Sequence, residues 1–192
     1  FPGLRGGHNR LNTAAAVAVV DGLDKGLVTD DVVARVFSSF RSLPHRMELV
    51  ATIGGVSYYD DSKGTNIGAT VTALDGMKEE RAVLVAGGKD KGGSYEPLVA
   101  ALAKRGRAVV TIGEAAAAIE AAIGNRIHVE RSSSMADAVV RAKRLAHEGD
   151  AVLLSPACSS FDMFKDYKQR GDAFVTAVRA LENAAKNAEK SA

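Results

Sequence analysis

The sequence contains one cysteine, no tryptophan, four prolines and no long apolar run. A lone thiol, Cys158, excludes an internal disulfide and a zinc site built from several thiolates. No apolar stretch approaches the roughly 18–20 residues that span a bilayer, and no basic segment followed by an apolar core opens the chain. These absences argue against a disulfide scaffold and a membrane protein, and they predict a reducing, cytoplasmic location.

A strong charge of one sign is also absent. The 25 Lys and Arg residues nearly balance the 23 Asp and Glu residues, and the basic residues are spread along the chain. This balance argues against nucleic acid as a partner. A hydrophobic content of 46% is instead typical of a folded protein with a sizeable core.

The first third of the chain predicts two helices followed by a domain boundary. The chain begins at Phe1 without an initiator Met, which predicts a piece of a longer protein. Apolar residues at helical spacing predict helices over 12–23 and 29–40, with Thr29 as the cap of the second. Pro44 ends this pattern, so we predict one domain over 1–43 and another over 44–192.

Beyond Pro44, short apolar strands alternate with helices. Gly54 and Gly55 predict a hairpin between Met47–Ile53 and Val56–Asp60, because glycine adopts the positive φ angles of a tight turn. Helices are predicted over 66–77, 94–105, 114–123, 134–147 and 162–182, and strands over 82–86, 108–112, 126–130 and 151–154. This alternation predicts an α/β fold with a doubly wound, Rossmann-like, mostly parallel sheet.

In such folds, ligands bind beyond the carboxyl ends of the strands. Three loops that follow strands are rich in glycine and polar residues, and we expect them on one edge of the sheet. They are Asp60–Asn66, Gly87–Gly93 and Ser155–Ser160.

The first loop brings Asp61, Lys63 and Thr65 to the start of a helix, which suits a bound anion. The alternative is that Ser62, Thr65 or Asn66 merely caps the helix while Lys63 is solvated. In the second loop, glycines surround Lys89 and Lys91, but the pattern is neither a Walker A loop nor a dinucleotide fingerprint. In the third, Cys158 is better explained as a small buried side chain than as a nucleophile.

Two further polar groups lie upstream, His8 and Asn9 with Asn12, and His45 with Arg46. Amides suit purine edges and arginine suits phosphate, although helix capping and a surface arginine explain them as simply. The four histidines lack metal-ligand spacing, so we predict no metal site made from this chain alone.

Taken together and in order, five motifs resemble those of the Mur ligases. The last two resemble most closely the members that add D-glutamate to UDP-N-acetylmuramoyl-L-alanine. The motifs lie at Gly7–Asn12, Leu43–Arg46, Asp61–Asn66, Gly87–Gly92 and Ser155–Asp162, with Phe164–Gly171 continuing the last.

The resemblance implies a three-domain, ATP-dependent ligase that forms an amide bond through an acyl phosphate in peptidoglycan precursor synthesis. This chain would then hold the end of the central ATP-binding domain and the whole C-terminal, amino-acid-binding domain. The P-loop and most Mg²⁺ ligands would lie in the missing N-terminal and central domains, so this piece alone is expected to be inactive.

The resemblance also implies roles for individual residues. Lys63 would lie close to the reacting phosphate and His45 beside the joined carboxylate and amine, with no proton-transfer role assigned to either. The lysine before Gly92, Lys91, is favoured over Lys89 for D-glutamate. The implied ATP-binding residues are Asn9, Asn12, Arg46 and Asp61, and the implied D-glutamate-binding residues are Thr65, Lys91, Ser160, Phe161 and Tyr167.

Two other hypotheses remain open at this point. One is a non-catalytic α/β module that keeps an anion pocket. The other is a related ligase of the Mur or folylpolyglutamate type that adds another amino acid.

Overall fold

The computed structural model describes residues 7–40 and 43–190. Ser42, at the predicted domain boundary, lies outside these residues, so the boundary stays a prediction. In the described part, no helix has both the length and the apolar character needed to cross a membrane.

Two helices come first, as predicted. The helix α1 spans Gly7–Leu23 and α2 spans Asp30–Ser39. Thr29 caps α2, because its side chain accepts a hydrogen bond from the Val32 backbone nitrogen at 3.3 Å. The predicted cap is therefore confirmed.

Strands and helices then alternate around one six-stranded sheet, in the order β1-β2-β6-β3-β4-β5. Only β1 and β2 pair in antiparallel fashion, and the other strand pairs are parallel. The strands are β1 Glu48–Ile53, β2 Val56–Asp60, β3 Ala82–Gly87, β4 Gly106–Ile112, β5 Val129–Arg131 and β6 Ala151–Leu154. The helices are α3 Ile67–Gly76, α4 Glu96–Arg105, α5 Ala116–Ile123, α6 Met135–Leu145 and α7 Tyr167–Lys190. The predicted fold class is confirmed.

Helices cover both faces of the sheet, which explains why β3 is buried along its whole length. Leu84 belongs to the cluster that packs against α3, α4 and α5. Its neighbours Val83 and Val85 point to the other face, toward α6 and α7. Side chains alternate between faces along a strand, so an apolar run is required where both faces are covered.

Some predicted boundaries were wrong for local reasons. The strand β1 begins after Met47, whose φ of 48° is incompatible with an extended strand. The strand β5 begins at Val129 rather than Arg126, because the Arg126 guanidinium folds back onto the Ile123 carbonyl at the end of α5. The hairpin turn is as predicted, with φ of 55° at Gly54 and 74° at Gly55.

The last helix begins at Tyr167, five residues later than predicted. The chain first turns, because the Phe164 backbone nitrogen donates to the Ser160 carbonyl at 2.8 Å. Asp166 then caps the helix by accepting from the Gln169 backbone nitrogen at 2.8 Å. The delay leaves residues 161–166 as a loop on the ligand-binding edge.

Candidate active site at the carboxyl edge of the sheet

The strands β2, β6 and β3 are neighbours, so the loops that follow them meet at one edge of the sheet. Backbone hydrogen bonds join them. Ala157 donates to the Gly64 carbonyl at 3.0 Å, and Lys89 donates to the Ser159 carbonyl at 2.9 Å. The prediction that the three loops share one edge is confirmed, and each loop is held directly by the next.

Asp61 lies buried at the start of the first loop. Its Oδ2 accepts a hydrogen bond from Ser155 Oγ at 2.8 Å, and its Oδ1 accepts from the Met47 backbone nitrogen at 3.2 Å. Burial raises the pKa of this carboxyl to about 6, although these two hydrogen bonds oppose the shift. Both oxygens therefore serve internal contacts, and the predicted contact of Asp61 with ATP stays a prediction.

His45 is held by a second buried carboxylate. Its Nδ1 lies 2.7 Å from Oδ2 of Asp60, whose side chain is fully buried. The other Asp60 oxygen accepts from the Ser62 backbone nitrogen at 2.9 Å, and burial raises the pKa of the carboxyl. On the far side of the ring, Nε2 lies 3.8 Å from the exposed Asp172 carboxylate. The imidazole is thus fixed from inside and presents Nε2 toward the rim of the site.

The second loop presents Lys91 to the first. The Lys91 ammonium donates to the Thr65 carbonyl at 2.9 Å. A turn at Asp90 sets this direction, since its carboxylate accepts from the Gly92 backbone nitrogen and the Tyr95 hydroxyl, each at 3.0 Å. These hydrogen bonds also lower the pKa of Asp90. The structure therefore brings Lys91 and Thr65 together, which favours Lys91 over Lys89 as the anion-binding lysine.

Lys63 and Tyr167 form a second pair. The Lys63 ammonium lies 4.4 Å from the centroid of the Tyr167 ring, a cation–π distance. The Tyr167 carbonyl accepts a hydrogen bond from Ser62 Oγ at 2.7 Å. The start of α7 is therefore fastened to the first loop.

The remaining predicted residues differ in exposure. Ser160 is buried, whereas Phe161 is 70% exposed at the same edge. Arg46 is exposed, and its charge acts to lower the pKa of Asp61 against the larger effect of burial. Within the described chain, Asn12 lies exposed on α1 and makes no hydrogen bond to the three loops. The side chain of Asn9 lies outside the described part of the structure.

Asn66, by contrast, is a helix cap. Its side chain accepts from the Ala69 backbone nitrogen at 2.9 Å at the start of α3. The capping explanation therefore holds for Asn66. Lys63 is partly buried against Tyr167, so it is not a simply solvated lysine.

Among the described residues, one group combines three side chains of metal-ligand chemistry. Ligand atoms of His45, Glu48 and Asp60 lie within 4.8 Å of one another. Direct hydrogen bonds account for this grouping, since His45 contacts Asp60 through its ring and Glu48 through its backbone nitrogen at 3.1 Å. We assign no metal to these residues, and the absence of a protein-only metal site stays a prediction.

Sequence reasoning missed one residue of this site, Arg170. Its side chain is only 1% exposed, and it donates hydrogen bonds to Ser62 Oγ, the Ser62 carbonyl and the Cys158 carbonyl. Burial lowers the pKa of this guanidinium to about 10. Arginine is almost never fully buried without a reason, but only its place in the Phe164–Gly171 motif marked it in the sequence.

Comparison with known proteins decides the family. Residues 45–158 match the family described as Mur ligase, glutamate ligase domain. The chain belongs to the Mur ligase family. Its relatives include the UDP-N-acetylmuramoylalanine–D-glutamate ligases of Thiobacillus denitrificans and Geotalea daltonii. They are 51% and 47% identical over 94% and 93% of this chain, but the match covers 37% and 38% of those proteins. The chain therefore spans little more than a third of the length of these relatives.

Solved Mur ligase structures and their relatives share the fold. A folylpolyglutamate synthase of Mycobacterium tuberculosis, solved with ADP and AMPPCP, aligns at a TM-score of 0.66 and 18% identity. The alignment covers 93% of this chain and 40% of that one. MurF ligase of Thermotoga maritima, solved with ADP, aligns at 0.62 and 21% identity, over 97% of this chain and 40% of that one. At these identities the likeness supports the fold alone.

Proposed function

We propose that this chain is the amino-acid-binding part of an ATP-dependent ligase that joins D-glutamate to UDP-N-acetylmuramoyl-L-alanine. The observation that carries the proposal is the placement of two anion-binding ends at one edge of the sheet. Lys91 and Thr65 form one end, and Lys63 with Tyr167 lies beside the first and third loops at the other. A dicarboxylic amino acid needs such a pair of sites, because each carboxylate requires a cation or several donors.

The relatives favour D-glutamate over another amino acid. Proteins that are 47–51% identical over almost the whole chain carry that substrate in their names, whereas the folylpolyglutamate synthase is only 18% identical. A non-catalytic anion-binding module is less well supported. It has no use for the His45–Asp60 pair, in which a buried carboxylate orients an imidazole toward the rim.

In this proposal, Lys91 and Thr65 hold one carboxylate of D-glutamate. Ser160 and the backbone at Phe161 and Tyr167 hold the other. Lys63 lies close to the phosphate of the activated carboxylate, and its charge opposes the negative charge that builds up there. His45 lies beside the carboxylate and the amine that are joined.

ATP would contact Asn9, Asn12, Arg46 and Asp61. Of these, Arg46 carries an exposed positive charge next to the first loop. Most Mg²⁺ ligands would lie in the rest of the protein. We further propose that residues 1–43 end the central ATP-binding domain, so the isolated chain lacks half of the active site. Use of ATP and a nucleotide-linked sugar favours a cytoplasmic location.

The proposal is tested by phosphate release and product formation with UDP-N-acetylmuramoyl-L-alanine, ATP and a panel of amino acids. The assay uses this chain and the full-length protein that contains it. We expect turnover only in the full-length protein and only with D-glutamate. Turnover with a different amino acid favours the related-ligase hypothesis, and no turnover in a folded full-length protein refutes the proposal in favour of a binding module.

Substitution of Lys91 tests the placement of D-glutamate. In the full-length protein, Lys91→Ala is expected to raise the KM for D-glutamate by about tenfold or more while the KM for ATP stays nearly constant, because a charge-assisted hydrogen bond contributes about 1.5–3 kcal/mol. The matched control is Lys104→Ala. This exposed lysine ends α4, at the opposite edge of the sheet. Arg46→Ala is expected to show the reverse order, with the KM for ATP raised more.

A further inference from the structure

Arg170 occupies the point where the three loops of the site converge. It lies in the first turn of α7, and its side chain is buried under the loops. Through Nε and one terminal nitrogen it donates to Ser62 Oγ at 3.0 Å and to the Ser62 carbonyl at 2.8 Å. The other terminal nitrogen donates to the Cys158 carbonyl at 3.1 Å. One side chain thus joins the first loop to the third.

The second loop packs onto the same guanidinium. Gly88 has a φ of 131°, and a Cβ at this position would lie 3.1 Å from a terminal nitrogen of Arg170. That Cβ would also collide with the Ser159 carbonyl. Glycine is required here because the backbone of the second loop passes directly over the arginine and the third loop.

Each contact of Arg170 lies close in sequence to a residue of the proposed ligand site. Ser62 precedes Lys63, and Cys158 lies two residues before Ser160. Ser62 Oγ also donates to the Tyr167 carbonyl while it accepts from Arg170. Movement of the guanidinium would therefore change the spacing between both ends of the amino-acid pocket.

The burial of this cation is costly and is not repaid by an ion pair. Within the described residues, no carboxylate oxygen lies within 4.0 Å of the Arg170 nitrogens, and all three hydrogen bonds go to uncharged oxygens. Asp60 and Asp162 influence it only at longer range. A buried charge held by hydrogen bonds alone contributes little net stability, so stability does not explain its presence.

We propose that Arg170 is a positioning residue for the amino-acid pocket, which holds the three loops at the spacing that lets them grip the two carboxylates of one ligand. The inference rests on the proposed function. Arg170 acts through Ser62 and Cys158 and does not itself contact the ligand. Its planar fork matters as well as its charge, because two loops are bonded at once.

The test compares Arg170→Met, Arg170→Lys and a matched control, Arg105→Met, in the full-length protein. Arg105 also donates to two backbone carbonyls, those of Leu74 at 3.2 Å and Met77 at 2.7 Å, but at the opposite end of α4 from the site. Loss of either arginine removes comparable loop contacts, so the control separates general destabilisation from an effect on the pocket.

We expect Arg170→Met to raise the KM for D-glutamate at least tenfold while the KM for ATP changes less than threefold. Arg170→Lys keeps the charge but bonds one loop at a time, so its KM is expected to lie between those of Arg170→Met and the wild type. Arg105→Met is expected to lower the unfolding midpoint without changing either KM. Should Arg170→Met fail to fold, Arg170→Lys decides, with an expected increase of at least threefold.

Two results would overturn the inference. One is a KM for D-glutamate within twofold of the wild type in folded Arg170 variants. The other is a parallel rise in both KM values, matched by Arg105→Met. A wild-type protein that ligates no D-glutamate would instead refute the proposed function, and the inference with it.

Discussion

Replacement of Asp61 by Asn is expected to change how the stability of the protein depends on pH. Burial raises the pKa of Asp61 from 3.8 to about 6 in the folded state. The folded state therefore binds the proton more tightly than the unfolded chain between about pH 4 and 6. The contribution of Asp61 to stability is greatest below that range and is lost as the pH rises through 6.

The magnitude follows from the shift. About two pKa units correspond to about 3 kcal/mol over the complete titration, and about 2 kcal/mol of this falls between pH 4.5 and 7.5. Asn retains the contacts of Asp61. Its oxygen accepts from the Met47 nitrogen and its amide donates to Ser155 Oγ, whose own hydrogen can turn to Thr70 Oγ1 at 3.1 Å. Only the ionisation is removed.

The assay is urea unfolding of this chain and of Asp61→Asn at pH 4.5, 5.5, 6.5 and 7.5. Other carboxyls also titrate, and the pKa values of Asp150 and Glu130 are lowered, so their contributions run in the opposite direction. The difference between the two proteins cancels these common contributions. Relative to the variant, the wild type is expected to lose about 2 kcal/mol between pH 4.5 and 7.5.

A difference that stays constant within about 0.5 kcal/mol across this range would refute the reasoning. It would mean that the internal hydrogen bonds of Asp61 offset the cost of its burial. A difference that grows in favour of the wild type with rising pH would mean that they exceed it.

Two further predictions concern glycine packing and the thiol. Gly171→Ala is expected to lower the free energy of unfolding by about 1–3 kcal/mol, because its Cβ would collide with Nδ1 of His45 and lie 2.8 Å from Oδ2 of Asp60. In the control Gly68→Ala the nearest atom is 3.5 Å away, and urea unfolding of both variants that showed equal losses would contradict this explanation. Cys158 is buried and burial raises its pKa, so iodoacetamide at pH 7.5 is expected to alkylate it at least about tenfold more slowly in the folded chain than in urea. Equal rates would show that the thiol is accessible, and loss of ligation in folded Cys158→Ala would restore it as a catalytic candidate.

Local structure was largely predictable because its signals lie within a few residues. Thr29 caps α2 as predicted, and Gly54 and Gly55 make the hairpin turn. The alternation of apolar strands with helices was enough for a parallel, doubly wound sheet. The start of α7 was missed because Asp162 and Asp166 are both plausible caps, and only Asp166 hydrogen bonds to the helix.

The loops were predictable as a group, but their partners were not. Composition marked both Lys89 and Lys91, and only the structure shows that the ammonium of Lys91 reaches Thr65. The direction depends on the Asp90 turn and on the distance between β2 and β3, which are separated by β6 in the sheet. Neither feature is visible in the residue pattern of one loop.

The sequence by itself determined the elements, the edge on which ligands bind and the residue types gathered there. The tertiary structure alone decided which side chains meet. Ser155 contacts Asp61 across 94 residues, and Arg170 contacts Ser62 across 108. Such pairs arise from the strand order, which places β2, β6 and β3 side by side. Arginine usually remains in water, so its burial follows from the oxygens that three loops converge to offer, and no local preference of the chain encodes that convergence.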